Sequence, residues 1–309
     1  MVLLTGPMEA GARARIEAVA DVREVPDTQP QTLREWAADA DVLVVRAMLP
    51  ADIFEHAPRL RGVVRQGVGL DMVPMDSARA HGLPVANVPG SNRHAVAEHV
   101  IACIGALTRR IARMDAELHL NGWSDARKLA DAGCELFGKT MGIVGLGSIG
   151  TRLAEICDHG FGMTVLGYQR RLDAVPAFVR GVSLEELLAL SDFVVLACPL
   201  TAETRHLIDA RRIALMKPGA LLVNVARGAV ADEAALAEAL RERRIAGAAL
   251  DVFEQQPLAP DHPFLQLHNV LLTPHVAGLT VESMQRMSDG AADEVLRLLR
   301  GEPLINRCN

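Results

Sequence analysis

The chain has 309 residues, of which 50% are hydrophobic and 23% charged, with a formal charge of −6. That length exceeds what one core ordinarily fills and fits two domains. No apolar run is long enough to cross a bilayer and no basic face is evident, so neither a membrane span nor a nucleic-acid partner is expected.

Five scattered cysteines (Cys103, Cys134, Cys157, Cys198 and Cys308) form no C-x-x-C or Cys/His cluster, which argues against a disulfide framework and against a metal site. The opening Met1-Val-Leu-Leu4 has no basic n-region and reads as a strand, so a cytoplasmic location is expected.

In chain order, residues 2–4, 41–45, 62–64 and 85–87 are short β-branched runs. Helical-looking stretches at 32–40 and 75–81 lie between them. From Asn92 to His119 runs a long proline-free stretch with apolar residues at helical spacing, able to lead from one domain to the next. A second alternating series follows, with strands at 141–144, 163–168, 193–197, 220–225, 248–252 and 270–272. Its helices fall at 148–158 and 231–244, and Ser183-Leu-Glu-Glu186 reads as a capping box. Alternating strands and helices predict parallel sheets covered on both faces, an α/β class. The last helix, 281–299, is expected to pack back on the first domain.

The strand 142–144 runs into Gly145-Leu-Gly147-Ser148-Ile149-Gly150, which opens a helix. In a G-x-G-x-x-G of this context the first glycine makes a tight turn and the second lets backbone approach a pyrophosphate. The third allows close helix packing, and the helix N-terminus stabilises the anion. Beyond the next strand, Gln169-Arg170-Arg171 stands where an NAD site usually places an acid about 20 residues on. A carboxylate repels a 2′-phosphate, whereas guanidinium groups bind it bidentately, so NADP(H) is favoured. NAD(H), with Gln169 on the ribose and the arginines solvated, is the alternative.

Four further blocks are Cys198-Pro199-Leu-Thr201, Asn224-Val-Ala226-Arg227-Gly228, Leu250-Asp251-Val-Phe253 and Thr273-Pro-His275-Val-Ala277-Gly278. With the glycine-rich loop they resemble the D-isomer-specific 2-hydroxyacid dehydrogenases, from Arg65-Gln-Gly-Val68-Gly69 to Gly278. The resemblance implies a Rossmann-type nucleotide domain (93–279) inserted into a flavodoxin-like substrate-binding domain (1–92 plus 280–309). It implies hydride transfer between a nicotinamide cofactor and a small 2-keto acid or 2-hydroxy acid, by a homodimer built on the nucleotide domain and residues 102–123. Arg227 would polarise the keto group and His275 would exchange the proton, because negative charge builds on oxygen as hydride arrives. Val68 and Gly69 would hold the substrate carboxylate through backbone N–H groups, with Arg46 facing the substrate. Ser148, Ile149, Cys198, Pro199, Thr204, Ala226, Asp251 and Ala277 would line the cofactor, Asp251 accepting from its carboxamide. His94 and His99 are read as helix-surface or interface residues.

One position departs from the family. Its members read Asp-Val-Phe-x-x-Glu-Pro, whose glutamate pairs with the catalytic histidine; this chain has Gln256 before Pro257. An amide can hydrogen-bond the imidazole without favouring its charged form, which leaves the pKa nearer the ordinary ~6.5. Glu254 is the alternative partner. The leading function is reduction of glyoxylate, hydroxypyruvate or a similar acid. The alternatives are an NAD-linked dehydrogenase of an anionic hydroxy acid such as 3-phosphoglycerate or sulfolactate, with Arg46 or Arg65 as the extra cation, and a cofactor-sensing binding protein.

Overall fold

Successive strand residues are apolar and go to opposite faces, so each sheet carries a core on both sides. In the computed structural model, which describes residues 1–170 and 175–309, the chain divides into two units, Met1–Asn92 with Leu279–Asn309, and Arg93–Gly278. Arg171 lies outside the described residues.

The first unit runs β1 (Val2–Leu4), α1 (Ala10–Glu17), β2 (Val22–Glu24), α2 (Pro30–Ala37), β3 (Val42–Val45), β4 (Gly62–Arg65), α3 (Met75–Ala80) and β5 (Val85–Ala86). Its parallel sheet has the order β2-β1-β3-β4-β5, the flavodoxin-like arrangement. Leu3, Leu43, Val45 and Val63 fill one face, and Val2, Leu4, Val42 and Val44 fill the other.

The second unit begins with α4 (Arg93–Thr108), α5 (Ile111–Asn121) and α6 (Trp123–Lys128). It continues through β6 (Thr140–Val144), α7 (Ser148–Glu155), β7 (Thr164–Tyr168), β8 (Arg180–Gly181), α8 (Leu184–Leu190) and β9 (Phe193–Leu196). Then come α9 (Ala210–Ile213), β10 (Leu221–Asn224), α10 (Glu233–Arg241), β11 (Gly247–Leu250) and β12 (Val270–Leu272). All strands are parallel, in the order β12-β11-β10-β9-β6-β7-β8. The order reverses between β6 and β9, where doubly wound sheets bind ligands beyond the strands' carboxyl ends. Phe193 and Val195 face one core, Val194 and Leu196 the other.

The final helix, α11 (Val281–Arg300), belongs to the first unit. Thr280 and Ser283 cap its start reciprocally, and Gly301 at φ 71° ends it. Ala291, Ala292, Val295 and Leu298 cover the sheet face formed by Val2, Leu4 and Val44, as expected for a helix that packs back.

Three details differ from the sequence reading. Strands β2 and β8 were not expected, since Val-Arg-Glu and Arg-Gly carry no apolar alternation and both strands lie at sheet edges. The stretch 92–119 is two helices, broken where Arg110 turns left-handed at φ 53°. Ser183 does cap α8, accepting from the Glu186 N–H at 3.2 Å, but the Glu186 carboxylate pairs with Arg180 instead of reaching back.

Candidate active site

The glycine-rich loop leaves β6 beside the point where the strand order reverses. Gly145 has φ 98°, and a Cβ there would lie 2.7 Å from the Cys198 backbone nitrogen. At Gly150 a Cβ would meet the Gly145 carbonyl at 2.0 Å, so α7 sits against the loop that precedes it. A Cβ on Gly147 would meet nothing within 4 Å. Gly147 and Ser148 open onto a cavity of about 520 Å³ that Thr151, Arg152, Arg93 and His94 also line. Packing thus requires glycine at 145 and 150, while the open space beside Gly147 leaves a cradle that fits a pyrophosphate at a helix N-terminus. Ile149 follows Ser148 in the first turn of α7.

Beyond β7, Gln169 is half-buried and Arg170 exposed, next to a loop anchored by the Gly145 N–H donating to the Tyr168 carbonyl at 2.8 Å. The Thr201 hydroxyl, with a smaller contribution from Arg170, holds the Glu203 carboxyl below its usual range. Cys198 is half-buried, and burial pushes its thiol up to about 11. Pro199 is exposed. The Thr204 hydroxyl donates to the Pro199 carbonyl at 2.8 Å and accepts from the Thr201 N–H at 2.7 Å, which shapes this loop from within.

Arg227 follows β10 on a turn set by buried Asn224. The Asn224 Oδ1 accepts from the Ala226 N–H at 3.0 Å, and its Nδ2 donates to the Arg227 carbonyl at 3.0 Å. A guanidinium N–H of Arg227 donates to the Ala226 carbonyl at 2.6 Å.

His275 is exposed and left-handed at φ 56°, a conformation a non-glycine residue holds only when its surroundings enforce it. Asp251 enforces it. Its backbone carbonyl accepts from the His275 N–H at 2.8 Å. Its carboxylate accepts from the N–H groups of Val276 and Ala277, both at 2.9 Å, and from the Thr273 hydroxyl at 2.6 Å. The side chain expected to meet a cofactor carboxamide is therefore 3% exposed and spends most of its acceptor capacity on the loop that carries His275. His99, expected on a helix surface, stands behind this clasp, its Nε2 3.3 Å from both Thr273 Oγ1 and Cys103 Sγ. Burial, with Asp251's charge second, pushes the Cys103 thiol up to about 11.

Gln256 meets the ring from the other side: His275 Nδ1 is 2.9 Å from Gln256 Oε1. Gln256 Nε2 donates to the Phe253 carbonyl at 3.3 Å, which fixes the amide with its oxygen toward the histidine. A carbonyl oxygen only accepts, so Nδ1 carries the proton. Glu254 does not replace the missing carboxylate; its Oε1 is 2.8 Å from His206 Nε2.

In the first unit, the Arg46 N–H donates to the Thr5 hydroxyl at 2.7 Å. Its guanidinium reaches the Pro7 carbonyl at 3.4 Å and the Met284 sulfur at 3.5 Å, and burial lowers its pKa. The loop after β4 is held by its carbonyls: Val68 accepts from Asn87 Nδ2 at 2.7 Å and Gly69 from Arg65 Nε at 3.1 Å. Arg65 also donates to the Val45 and Gln66 carbonyls at 2.9 and 2.6 Å, so its guanidinium helps to build this loop. The N–H groups of Val68 and Gly69 meet no acceptor among the described residues.

No helix among the described residues is long and apolar enough to cross a membrane. Residues 101–277 match the family described as D-isomer specific 2-hydroxyacid dehydrogenase, NAD binding domain. Over 314 residues the chain is 38% identical to the D-3-phosphoglycerate dehydrogenase of Methanocaldococcus jannaschii, covering 100% of this chain and 59% of that protein. It thus spans well under two thirds of that relative's length. It is 40% identical over 292 residues to the glyoxylate reductase of Korarchaeum cryptofilum, covering 93% of this chain and 87% of that one. The structure of an NADPH-dependent glyoxylate/hydroxypyruvate reductase from Sinorhizobium meliloti, solved with NADP and malonate, superposes with a TM-score of 0.88. The identity there is 28%, over 99% of this chain and 96% of that chain. With more than half its length in the family's nucleotide-binding region and both glycine-loop and histidine blocks in place, the chain belongs to the D-isomer specific 2-hydroxyacid dehydrogenase family.

Proposed function

We propose that the protein reduces a small 2-keto acid, glyoxylate or hydroxypyruvate in kind, to the 2-hydroxy acid with NADP(H). The observation that carries this reading is the exposed His275 imidazole, oriented through Nδ1 by Gln256 on the loop that Asp251 clasps. A bound reduced nicotinamide supplies hydride to the keto carbon. Arg227 draws charge onto the carbonyl oxygen, and His275 gives that oxygen a proton from Nε2. Nδ1 keeps its proton in both the charged and the neutral ring, so Gln256 Oε1 accepts the same bond before and after the transfer. The N–H groups of Val68 and Gly69 bind the substrate carboxylate, and Arg46 adds a cation to the same unit.

Gly145, Gly147, Ser148, Ile149 and Gly150 hold the pyrophosphate, with Cys198, Pro199, Thr204, Ala226 and Ala277 around the rest of the dinucleotide. NADP(H) is favoured over NAD(H) because Gln169 and exposed Arg170 follow β7 where a carboxylate would otherwise repel a 2′-phosphate. The relatives named D-3-phosphoglycerate dehydrogenase favour a second reading, an NAD-linked enzyme for an anionic hydroxy acid, with half-buried Arg46 as its cation. Exposed Leu120 and Trp123, 79% and 75% accessible, support a homodimer. The free thiols suit the reducing cytoplasm.

Steady-state oxidation of NADPH and NADH with glyoxylate, hydroxypyruvate and 3-phosphohydroxypyruvate tests these readings. NADPH with the two uncharged-tail acids should give the highest kcat/KM, and Arg170→Ala should raise the KM for NADPH about fivefold to tenfold and leave that for NADH unchanged. Preference for NADH and the phosphorylated acid would favour the second reading; no turnover with any of them would overturn both.

A further inference from the structure

We infer that Glu233, which touches neither His275 nor Gln256, is a positioning residue that holds the His275 ring in its Nδ1–H form by clamping residues 253–256. The inference rests on the proposed role of His275 as the proton carrier.

Glu233 is the first residue of α10, where Asp232 caps the helix by accepting from the Ala235 N–H at 3.0 Å. Its side chain is 17% exposed and its two oxygens divide their work. Oε1 accepts from the Glu254 backbone N–H at 2.7 Å, a charge-assisted bond. Oε2 lies 3.3 Å from His262 Nε2. His262 Nδ1 accepts from the Phe264 N–H at 3.3 Å, so its proton sits on Nε2 and points at Glu233. A second contact, His206 Nε2 to Glu254 Oε1 at 2.8 Å, ties down the side chain of the residue whose backbone Glu233 holds. Beneath them the turn lies flat on Gly228, where a Cβ would come within 2.0 Å of the Phe253 carbonyl carbon and 2.1 Å of the Glu254 nitrogen.

Three anchors thus fix the turn at Phe253 and Glu254, and what it presents is Gln256, bonded through Nε2 to Phe253 and through Oε1 to His275. The line of contact runs His262, Glu233, Glu254 N–H, Gln256, His275. Beside it is a cavity of about 400 Å³ lined by His206, Glu233, Glu254 and His262. Without the Glu233 carboxylate the turn has space to move into, and a shift of under an ångström at Gln256 breaks a 2.9 Å hydrogen bond. Among the described residues no group of three or more His, Cys, Asp or Glu is arranged to hold a metal, so this cluster works through hydrogen bonds.

The test combines kinetics with imidazole ¹⁵N chemical shifts of His275 in the substrate-free protein. For Glu233→Ala, kcat should fall about tenfold with the KM for NADPH within about twofold, and the His275 shifts should move from the Nδ1–H pattern toward an average of both tautomers. Glu233→Gln keeps an acceptor for the Glu254 N–H and should retain most of kcat and the wild-type shifts. In a Gln256→Ala background, Glu233→Ala should add nothing to the loss. Wild-type kcat and shifts in Glu233→Ala, or a loss that adds fully to that of Gln256→Ala, would overturn the inference. If Glu233→Ala does not fold, Glu233→Asp, which retracts the acceptor by one methylene, takes its place with the same expected losses. The shifts need no turnover, so a protein inactive toward 2-keto acids would overturn the catalytic reading and leave the spectrum to decide this one.

Discussion

His275 sits between two supports of opposite character. On one side the loop 273–277 is clasped by Asp251, a buried carboxylate that accepts from two backbone N–H groups and a hydroxyl. On the other the turn 253–256 offers the ring a neutral amide, Gln256. A charged clasp is strong and directional, and here it acts on backbone, where it forces a left-handed histidine. A neutral partner sets the tautomer without holding the proton. Charge therefore fixes where the ring is, and its absence leaves the ring's protonation open to pH.

Removing the imidazole that the two supports share should have the largest effect. His275→Ala should lower kcat by about 10²–10⁴-fold with cofactor affinity kept, measured by turnover and by cofactor titration. A loss below about tenfold would mean that neither support serves proton transfer. Asp251→Asn is next. An amide in this site turns an N–H toward a backbone N–H, so kcat should fall about 10–100-fold and stability by about 2 kcal/mol in denaturant unfolding. An unchanged kcat with lowered stability would make the clasp architectural only. Thr273→Val removes one of the three donors to Asp251 and leaves the backbone pair, so about 1 kcal/mol of stability and less than about threefold in kcat should be lost.

Much of this was legible in sequence because it follows local rules. The alternating strands, the glycine loop opening α7 and the Thr273-Pro-His275 block are short-range patterns, and the His275–Gln256 contact follows from the family's spacing. The Asp251 block is legible in sequence, but the use of its carboxylate on the histidine loop is not, because it depends on three donors arriving 22 to 26 positions later. Sequence spacing reads His99 as a helix-surface or interface residue because its contact with Thr273 exists only once the chain returns to α4. The Glu233 clamp carries no motif, since its partners His262, Glu254 and His206 meet only through the return of the chain across the sheet. Edge strand β2 was hidden by Arg23 and Glu24, which a half-exposed edge tolerates and a buried strand would not.

Replacing Gln256 by a carboxylate is the decisive measurement of how the neutral partner sets the protonation of His275. In the proposed reduction His275 gives its proton to the keto oxygen, so the rate should fall as pH rises through its pKa, and a carboxylate at 256 favours the charged ring and raises that pKa. The kcat/KM profile for 2-keto acid reduction by Gln256→Glu should therefore keep its shape and move its alkaline limb upward by about one pH unit relative to the native enzyme. Superimposable profiles, or a limb displaced toward acid, would contradict the account.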